Sequence, residues 1–143
     1  NFPVTVLRLF QVYGSKQDQN RIVPQIIKNC LSNKKFNTTK GNQRCDFCHI
    51  DDVTNAIFKT LISKKANGEI INIGSGKPIS IKGVIKIIKG IIGKGHPVFG
   101  GLKYKKNMHM SNYPKITKAK KILNWKPKIK FTDGIKKLIN TWE

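Results

Sequence analysis

The sequence predicts an α/β fold, because short apolar segments typical of strands alternate with amphipathic helical segments along the whole chain. Of the 143 residues, 38% are hydrophobic and 8% are aromatic, which is enough for a packed core. The chain has no internal repeats, low-complexity tracts or long linkers. We therefore expect one structural unit that spans residues 1–143.

The first half of the chain alternates clearly between the two kinds of segment. Val4 to Phe10 is an apolar run that predicts a buried strand, followed by a turn at Gly14. Apolar residues from Ile22 to Leu31 recur at helical spacing, and Pro24 is tolerated there only in the first turn. Further strands are expected around residues 36–39 and 46–50.

Three residues further along the chain are good helix N-caps, namely Asp51, Ser80 and Thr132. The apolar residues that follow each of them share one helical face. The segments between these helices predict a strand over Glu69–Ile73, an extended stretch over Val98–Tyr104 and a helix over Ile116–Leu123.

The formal net charge is +21, with 28 basic and only seven acidic residues. Such a charge favours contact with polyanions. However, the arginines are limited to Arg8, Arg21 and Arg44, and the lysines are scattered over nearly every segment. Nucleic-acid sites usually cluster arginines and aromatic residues on one element. We therefore expect a lysine-coated surface rather than a nucleic-acid site, although a small basic protein that binds nucleic acid or another polyanion remains the alternative.

Cys45-Asp46-Phe47-Cys48-His49 matches the C-x-x-C-H signature of c-type haem attachment. Haem would need Met108 or Met110 as its second axial ligand, and zinc would lack a fourth clustered ligand. The motif falls in a predicted strand of a chain without an export signal. We therefore expect no metal or haem and reduced thiols at Cys30, Cys45 and Cys48.

Gly74-Ser75-Gly76-Lys77 follows a predicted strand and resembles a phosphate-cradling loop, but its spacing fits neither a P-loop nor a dinucleotide fingerprint. We interpret it as a structural turn. The acidic residues lie mainly at helix starts, so the sequence offers no catalytic carboxylate pair. No apolar run approaches the roughly 20 residues that span a bilayer, and no signal peptide opens the chain, so we expect a cytoplasmic protein without membrane contact.

Five segments, taken in order, carry a family resemblance. They are Leu7-Arg8-Leu9-Phe10-Gln11-Val12-Tyr13-Gly14, Asn20-Arg21-Ile22-Val23-Pro24, Gly41-Asn42-Gln43 leading to Asp46-Phe47-Cys48-His49-Ile50-Asp51-Asp52-Val53, Glu69-Ile70-Ile71-Asn72-Ile73-Gly74-Ser75-Gly76, and Leu123-Asn124-Trp125-Lys126-Pro127. Together they resemble the C-terminal half of the extended short-chain dehydrogenases/reductases that act on nucleotide sugars as epimerases, dehydratases or reductases.

The resemblance implies the last elements of a Rossmann-type parallel sheet and a small α/β substrate-binding lobe, without the N-terminal part of the enzyme. It implies NAD or NADP as the cofactor of the full-length protein, a nucleotide-diphosphate sugar as its ligand, and is compatible with a homodimer. The Gly-rich cofactor turn and the catalytic Tyr-x-x-x-Lys pair are absent from this sequence. We therefore expect no catalytic residue here, no activity of this chain alone and no tight binding of the cofactor.

The resemblance assigns five substrate contacts and one cofactor contact. The substrate residues are Gln11, Arg21, Ile22, Arg44 and Lys105, and the cofactor residue is Phe10. Gln11 stands where the family has Asn, and Cys45 stands where it has a diphosphate-binding Arg. Arg44 comes one place earlier, and alternation along a strand would turn it to the opposite face.

Overall fold

The computed structural model describes residues 3–142, and their strands are short. The strands are β1 (Val6–Leu9), β2 (Gln11–Tyr13), β3 (Lys35–Thr38), β4 (Arg44–Cys45), β5 (Phe47–His49), β6 (Ile70–Ile73), β7 (Ile79–Ser80), β8 (His96–Phe99) and β9 (Ser111–Asn112). The helices are α1 (Ile22–Leu31), α2 (Ile50–Ile62), α3 (Ile81–Ile92), α4 (Thr117–Leu123) and α5 (Phe131–Asn140), and a 3-10 turn covers Lys64–Ala66.

Most strand pairs are parallel and join elements that are distant in sequence. β1 pairs with β6, β2 with β5, and β3 with β8. β4 pairs antiparallel with β7 and parallel with β9. Parallel strands need long crossover connections, which helices supply here. The prediction of an α/β fold with parallel pairing is therefore confirmed.

Two clusters of buried side chains form the core. In the first, α1, α3 and α5 pack around Tyr13 and Phe47, with Ile27, Ile88 and Ile135 among its most deeply buried members. The second lies between α2, β6 and α4 and includes the fully buried Trp125. The apolar faces predicted for α1 and α3 are largely the faces that the structure buries, whereas Ile57 and Leu61 on the predicted face of α2 are 43% and 80% exposed.

Asp52 joins α2 to the segment that leads into α5. Its carboxylate is 5% exposed and accepts hydrogen bonds from the backbone N–H groups of Lys128 (3.0 Å) and Ile129 (2.9 Å). Its carbonyl oxygen accepts a third from the Trp125 indole at 3.1 Å. Charge-assisted bonds of this kind are stronger than bonds between neutral groups. Asp52 therefore fixes the path of the C-terminal segment across α2.

The strand predicted over Val4–Phe10 is shorter and less buried than expected. β1 covers Val6–Leu9, and the side chains of Val6 and Leu9 are each 46% exposed. Among the described residues β1 pairs only with β6, so its other edge has no strand partner there and some of its side chains are exposed. The prediction of a buried strand was therefore wrong for this chain by itself.

Two predicted helix caps were also wrong. Ser80 caps α3 as expected, but Asp51 and Thr132 lie inside the first turns of α2 and α5. The cap of α2 is His49, and α5 begins at Phe131 after Lys130, which makes no side-chain capping bond. The extended stretch predicted up to Tyr104 ends with β8 at Phe99.

The lysines occupy the solvated surface. Every lysine except the half-buried Lys59 is exposed, and each of the helices carries at least one. This confirms the interpretation of the lysines as a surface coat. Within residues 3–142, no helix has the length and apolar character needed to cross a membrane.

The cap of α2 depends on the protonation state of His49. Its Nδ1 atom accepts a hydrogen bond from the backbone N–H of Asp51 at 3.2 Å, which requires the neutral imidazole. The ring is 4% exposed, and burial lowers the pKa of His49 below its ordinary value of 6.5. A protonated His49 would lose the cap.

We predict that acid destabilises the chain through this histidine. Because the pKa of His49 is lower in the folded state, its contribution is present above pH 6.5 and is lost as pH falls through the folded pKa. The free energy of unfolding should fall by an amount that approaches the roughly 1 kcal/mol contributed by an N-cap. Urea unfolding at pH 7.5 and 5.5 measures it. His49→Asn, which keeps a capping oxygen but does not titrate, should lose less stability, and an identical loss in both proteins would contradict this account.

Candidate functional site

A cleft of about 350 Å³, lined by both polar and apolar side chains, lies where strands and helices from distant parts of the sequence meet. We call it the Gln43 cleft. The residues of its wall that matter here are Gln11, Arg21, Ile22, Gln43, Cys45 and Asn112. These come from β2, the start of α1, the strand β4 with the residue before it, and β9.

The backbone of Asp46 holds two walls of the cleft together. Its N–H donates to the carbonyl of Asn112 at 3.1 Å, and its carbonyl accepts from the N–H of Gln11 at 3.1 Å. One residue between β4 and β5 thus links β2 on one side with β9 on the other. The positions of Gln11 and Asn112 across the cleft follow from these two bonds.

The carboxylate of Asp46 is fully buried and fixes the turn after β6. It accepts hydrogen bonds from the backbone N–H of Ser75 at 2.6 Å and from the Ser75 hydroxyl at 2.9 Å. A Cβ atom at Gly74 would meet the ring of Pro114 and the Asp46 carboxylate. Protein atoms therefore fill the space beside this glycine, in agreement with a structural turn and not with a cradle for cofactor phosphates.

Arg21 stands at the N-cap of α1, where the helix opens onto the cleft. Its side chain is exposed, and no carboxylate of residues 3–142 forms an ion pair with it. The first turn of α1 has no acidic residue, and Arg21 gives it no side-chain capping bond. A cationic side chain and uncapped N–H groups at the positive end of a helix favour an anionic ligand.

Gln43, like Asn112, is a wall residue that sequence reasoning missed. Its side chain is 9% exposed, and its Oε1 atom has no hydrogen-bond partner among the described residues. The alternation of side chains along a strand could have predicted it. Gln43 and Cys45 lie two residues apart and share the cleft face, whereas Arg44 faces away.

Of the five predicted substrate residues, the structure brings Gln11, Arg21 and Ile22 together in the Gln43 cleft. Arg44 and Lys105 lie elsewhere. The guanidinium of Arg44 donates to the carbonyl of Pro78 at 3.2 Å. Lys105 is exposed. Both residues belong to the described part of the chain, and neither lines the Gln43 cleft.

Phe10, the predicted cofactor residue, is half-buried between β1 and β2. Its N–H donates to the carbonyl of Ile73 at 3.4 Å. Phe10 thus lies beside the parallel strands, but residues 3–142 contain no glycine-rich turn for cofactor phosphates. On their own, the described residues do not fit NAD.

The cysteines of the C-x-x-C-H motif lie in strands, as predicted. Cys45 ends β4 beside the cleft, and Cys48 lies in β5 and is 1% exposed. Both are free thiols, as is Cys30. Burial raises the pKa of all three thiols, that of Cys48 to about 12. They are therefore protonated near neutral pH and poor nucleophiles.

The fold and the cleft together define a class, an α/β protein with a cleft of mixed polarity beside its parallel strands and an arginine in the cleft wall. Residues 1–74, just over half of the chain, match the model of the NAD dependent epimerase/dehydratase family. The chain belongs to this family. The segments that suggested a nucleotide-sugar enzyme therefore identified the family correctly.

Curated relatives include enzymes of two reaction types. The UDP-glucuronate 4-epimerase of Thermodesulfobacterium geofontis is 35% identical over 146 residues, which cover 96% of this chain and 42% of the relative. The dTDP-D-glucose 4,6-dehydratase of Mus musculus is 32% identical, over 96% of this chain and 40% of the relative. Sequence similarity alone therefore does not distinguish epimerase from dehydratase chemistry.

Among solved structures, the UDP-glucuronic acid 4-epimerase from Bacillus cereus, in complex with UDP-glucuronic acid and NAD, matches with a TM-score of 0.88. It is 31% identical, and the match covers 96% of this chain and 44% of the other. The described elements therefore share the fold of the matching part of this Rossmann-type neighbour. The chain spans less than half the length of each of these relatives.

We predict that Asp46→Asn destabilises the fold by about 2–3 kcal/mol, because the new amide nitrogen or an uncharged oxygen would face the two donors of Ser75. Ser75→Ala keeps the backbone donor and should lose about 1 kcal/mol. Urea unfolding of both variants measures the difference. If Asp46→Asn were as stable as the wild type, the carboxylate would not be the link between the Ser75 turn and the cleft strands.

Proposed function

We propose that this chain is the substrate-binding part of an NAD- or NADP-dependent epimerase, dehydratase or reductase, and that the Gln43 cleft holds a nucleotide-diphosphate sugar. The observation that carries the proposal is the meeting of Gln11, Arg21 and Ile22 in one cleft. The UDP-glucuronic acid and NAD complex of the Bacillus cereus relative, with its TM-score of 0.88, supports it.

The charge of the cleft suits a diphosphate. A buried diphosphate needs cations and donors that replace its water. Arg21 has a planar guanidinium that binds phosphate oxygens in a bidentate manner, and no acidic residue in the first turn of α1 competes for it. Arg44 and Lys105 do not line the cleft, and both lie at the surface. Their contacts with the ligand stay predictions.

The chain is proposed to bind the sugar nucleotide without transforming it. None of its three tyrosines is followed by a lysine four residues later. Burial raises the pKa of Tyr13 above its ordinary value of 10.0, and its hydroxyl lies 3.4 Å from the carbonyl of Phe131. A tyrosine held neutral in the core is unsuited to proton transfer at a sugar.

Two sets of exposed apolar side chains are the proposed contact for the rest of the enzyme. One set is Val6 and Leu9 on β1, and the other is Phe58, Leu61 and Ile62 on α2. The α2 residues are 60–80% exposed. A free strand edge and apolar side chains of this size are typical of surfaces that another element covers. Because relatives are more than twice as long, we assign both sets to the contact with the cofactor-binding portion, with Phe10 beside the cofactor.

We predict that the purified chain does not turn over UDP-glucose or UDP-glucuronic acid in the presence of NAD. The reason is the absence of the Tyr/Lys pair and of the Gly-rich turn from its sequence. Chromatographic detection of the sugar nucleotides after prolonged incubation measures turnover. Formation of any epimer, dehydrated sugar or reduced cofactor would contradict the proposal that the chain only binds.

We predict that Arg21→Ala weakens binding of UDP-glucuronic acid by about 1–3 kcal/mol, the range for a charge-assisted contact. Lys121→Ala removes an equal charge from the exposed side of α4 and should change the affinity little, since distant charges are screened. Calorimetric titration of the full chain measures both.

The same titration tests the two outlying residues. Arg44→Ala and Lys105→Ala should each weaken binding if the family contacts form when the ligand binds. Affinities equal to that of Lys121→Ala would remove these two residues from the site. The chain could instead bind DNA, independently of its sequence, more tightly than sugar nucleotides at physiological salt. That result would favour the polyanion-binding alternative.

A further inference from the structure

The unpaired amide oxygen of Gln43 has no structural explanation within the fold. Buried polar atoms are nearly always hydrogen-bonded, and an unpaired one costs about 1–3 kcal/mol. Gln43 is 9% exposed, its Oε1 is fully enclosed, and the described residues supply no donor to it. The atom lies in a residue of the cleft wall. We therefore look to a ligand in the cleft for the hydrogen-bond donor that the Gln43 oxygen lacks.

The neighbours of Gln43 hold it in place without using its side chain. Its backbone carbonyl accepts a hydrogen bond from the N–H of Ile81 at 3.0 Å. The start of α3 is already capped, because the Ser80 hydroxyl accepts from the N–H of Gly83 at 3.0 Å. The amide of Gln43 is thus not needed as a helix cap, and its main chain is fixed beside the cleft.

We propose that Gln43 determines ligand specificity by accepting a hydrogen bond from a hydroxyl or ring N–H group of the ligand in the cleft. This inference rests on the proposed function. An ionised phosphate offers only acceptors, so the Gln43 oxygen does not pair with it. Arg21 binds the phosphate, and Gln43 selects for a neutral donor on the sugar or nucleoside. A site built around a buried acceptor discriminates strongly against ligands without the matching donor.

Gln17 provides a matched control. Its Oε1 is also enclosed and unpaired among the described residues, and its Nε2 donates to the carbonyl of Val12 at 2.7 Å. It lines one cleft with Ser15 and Lys16 and a second with Arg21, but it does not line the Gln43 cleft. An effect shared by both glutamines would reflect loss of an amide in general, whereas an effect of Gln43 alone would reflect the ligand.

The test is a calorimetric titration of the full chain with UDP-glucose, UDP and glucose 1-phosphate. Gln43→Met keeps the length of the side chain but removes the acceptor, and should bind UDP-glucose about three- to tenfold more weakly. Gln17→Met should bind as the wild type does. An equal loss for UDP identifies the donor as part of the nucleoside, and an equal loss for glucose 1-phosphate identifies it as a hexose hydroxyl.

Stability in the absence of ligand supplies the second readout. Because Gln43→Met removes an unpaired buried oxygen, the free variant should be at least as stable as the wild type in urea. A less stable or unfolded variant, or one that binds UDP-glucose as tightly as the wild type, would overturn the role of Gln43. Failure of the wild type itself to bind UDP-glucose or UDP-glucuronic acid would instead overturn the proposed function.

Discussion

The arrangement of the cleft depends on Asp46 more than on any other residue. Its backbone joins β2 to β9, and its buried carboxylate holds the Ser75 turn after β6. A carboxylate without water must have its oxygens satisfied, and two donors of one residue do this here. Gln11 and Asn112 both line the cleft, and their backbones are held by the bonds of Asp46, a residue that does not line it. A residue of the core thus positions two residues of the cleft wall.

The same chain combines a well-packed interior with a surface that is incomplete by itself. The first core cluster packs α1, α3 and α5 together, and the hydrogen bonds of Asp52 hold α2 to the segment that precedes α5. In contrast, β1 and α2 expose large apolar side chains. The groups that the cleft offers are donors, an acceptor and a guanidinium, which are suited to recognition. Under the proposed function, the reactive groups and the cofactor therefore come from the part of the enzyme that covers β1 and α2.

Local sequence patterns predicted most of the elements. Isoleucine spacing located α1 and α3, and Ser80 was recognisable as a cap because its hydroxyl acts within three residues. Burial of β1 was not predictable, since it depends on what lies beside the free edge. His49 as a cap and Gln43 as an unpaired amide were also missed. The His49 cap is local, since its donor is the N–H of Asp51 two residues later, but histidine is not one of the residues preferred at helix N-caps. The unpaired amide of Gln43 depends on which side chains surround it, and alternation along the strand gives only its face. For the site, the order of the family motifs along the chain predicted Gln11, Arg21 and Ile22, which the structure brings together. Strand alternation explains why Cys45 and not Arg44 faces the cleft.

The most direct test of the account is the location of the bound sugar nucleotide. Amide chemical shifts of the isotopically labelled chain, followed by NMR during titration with UDP-glucuronic acid, report which residues the ligand approaches. The account predicts saturable changes at Gln11, Arg21, Ile22, Gln43 and Asn112, with the exposed lysines of α4 unaffected. Changes spread over the lysine-rich surface and abolished by salt, with none at these cleft residues, would contradict it.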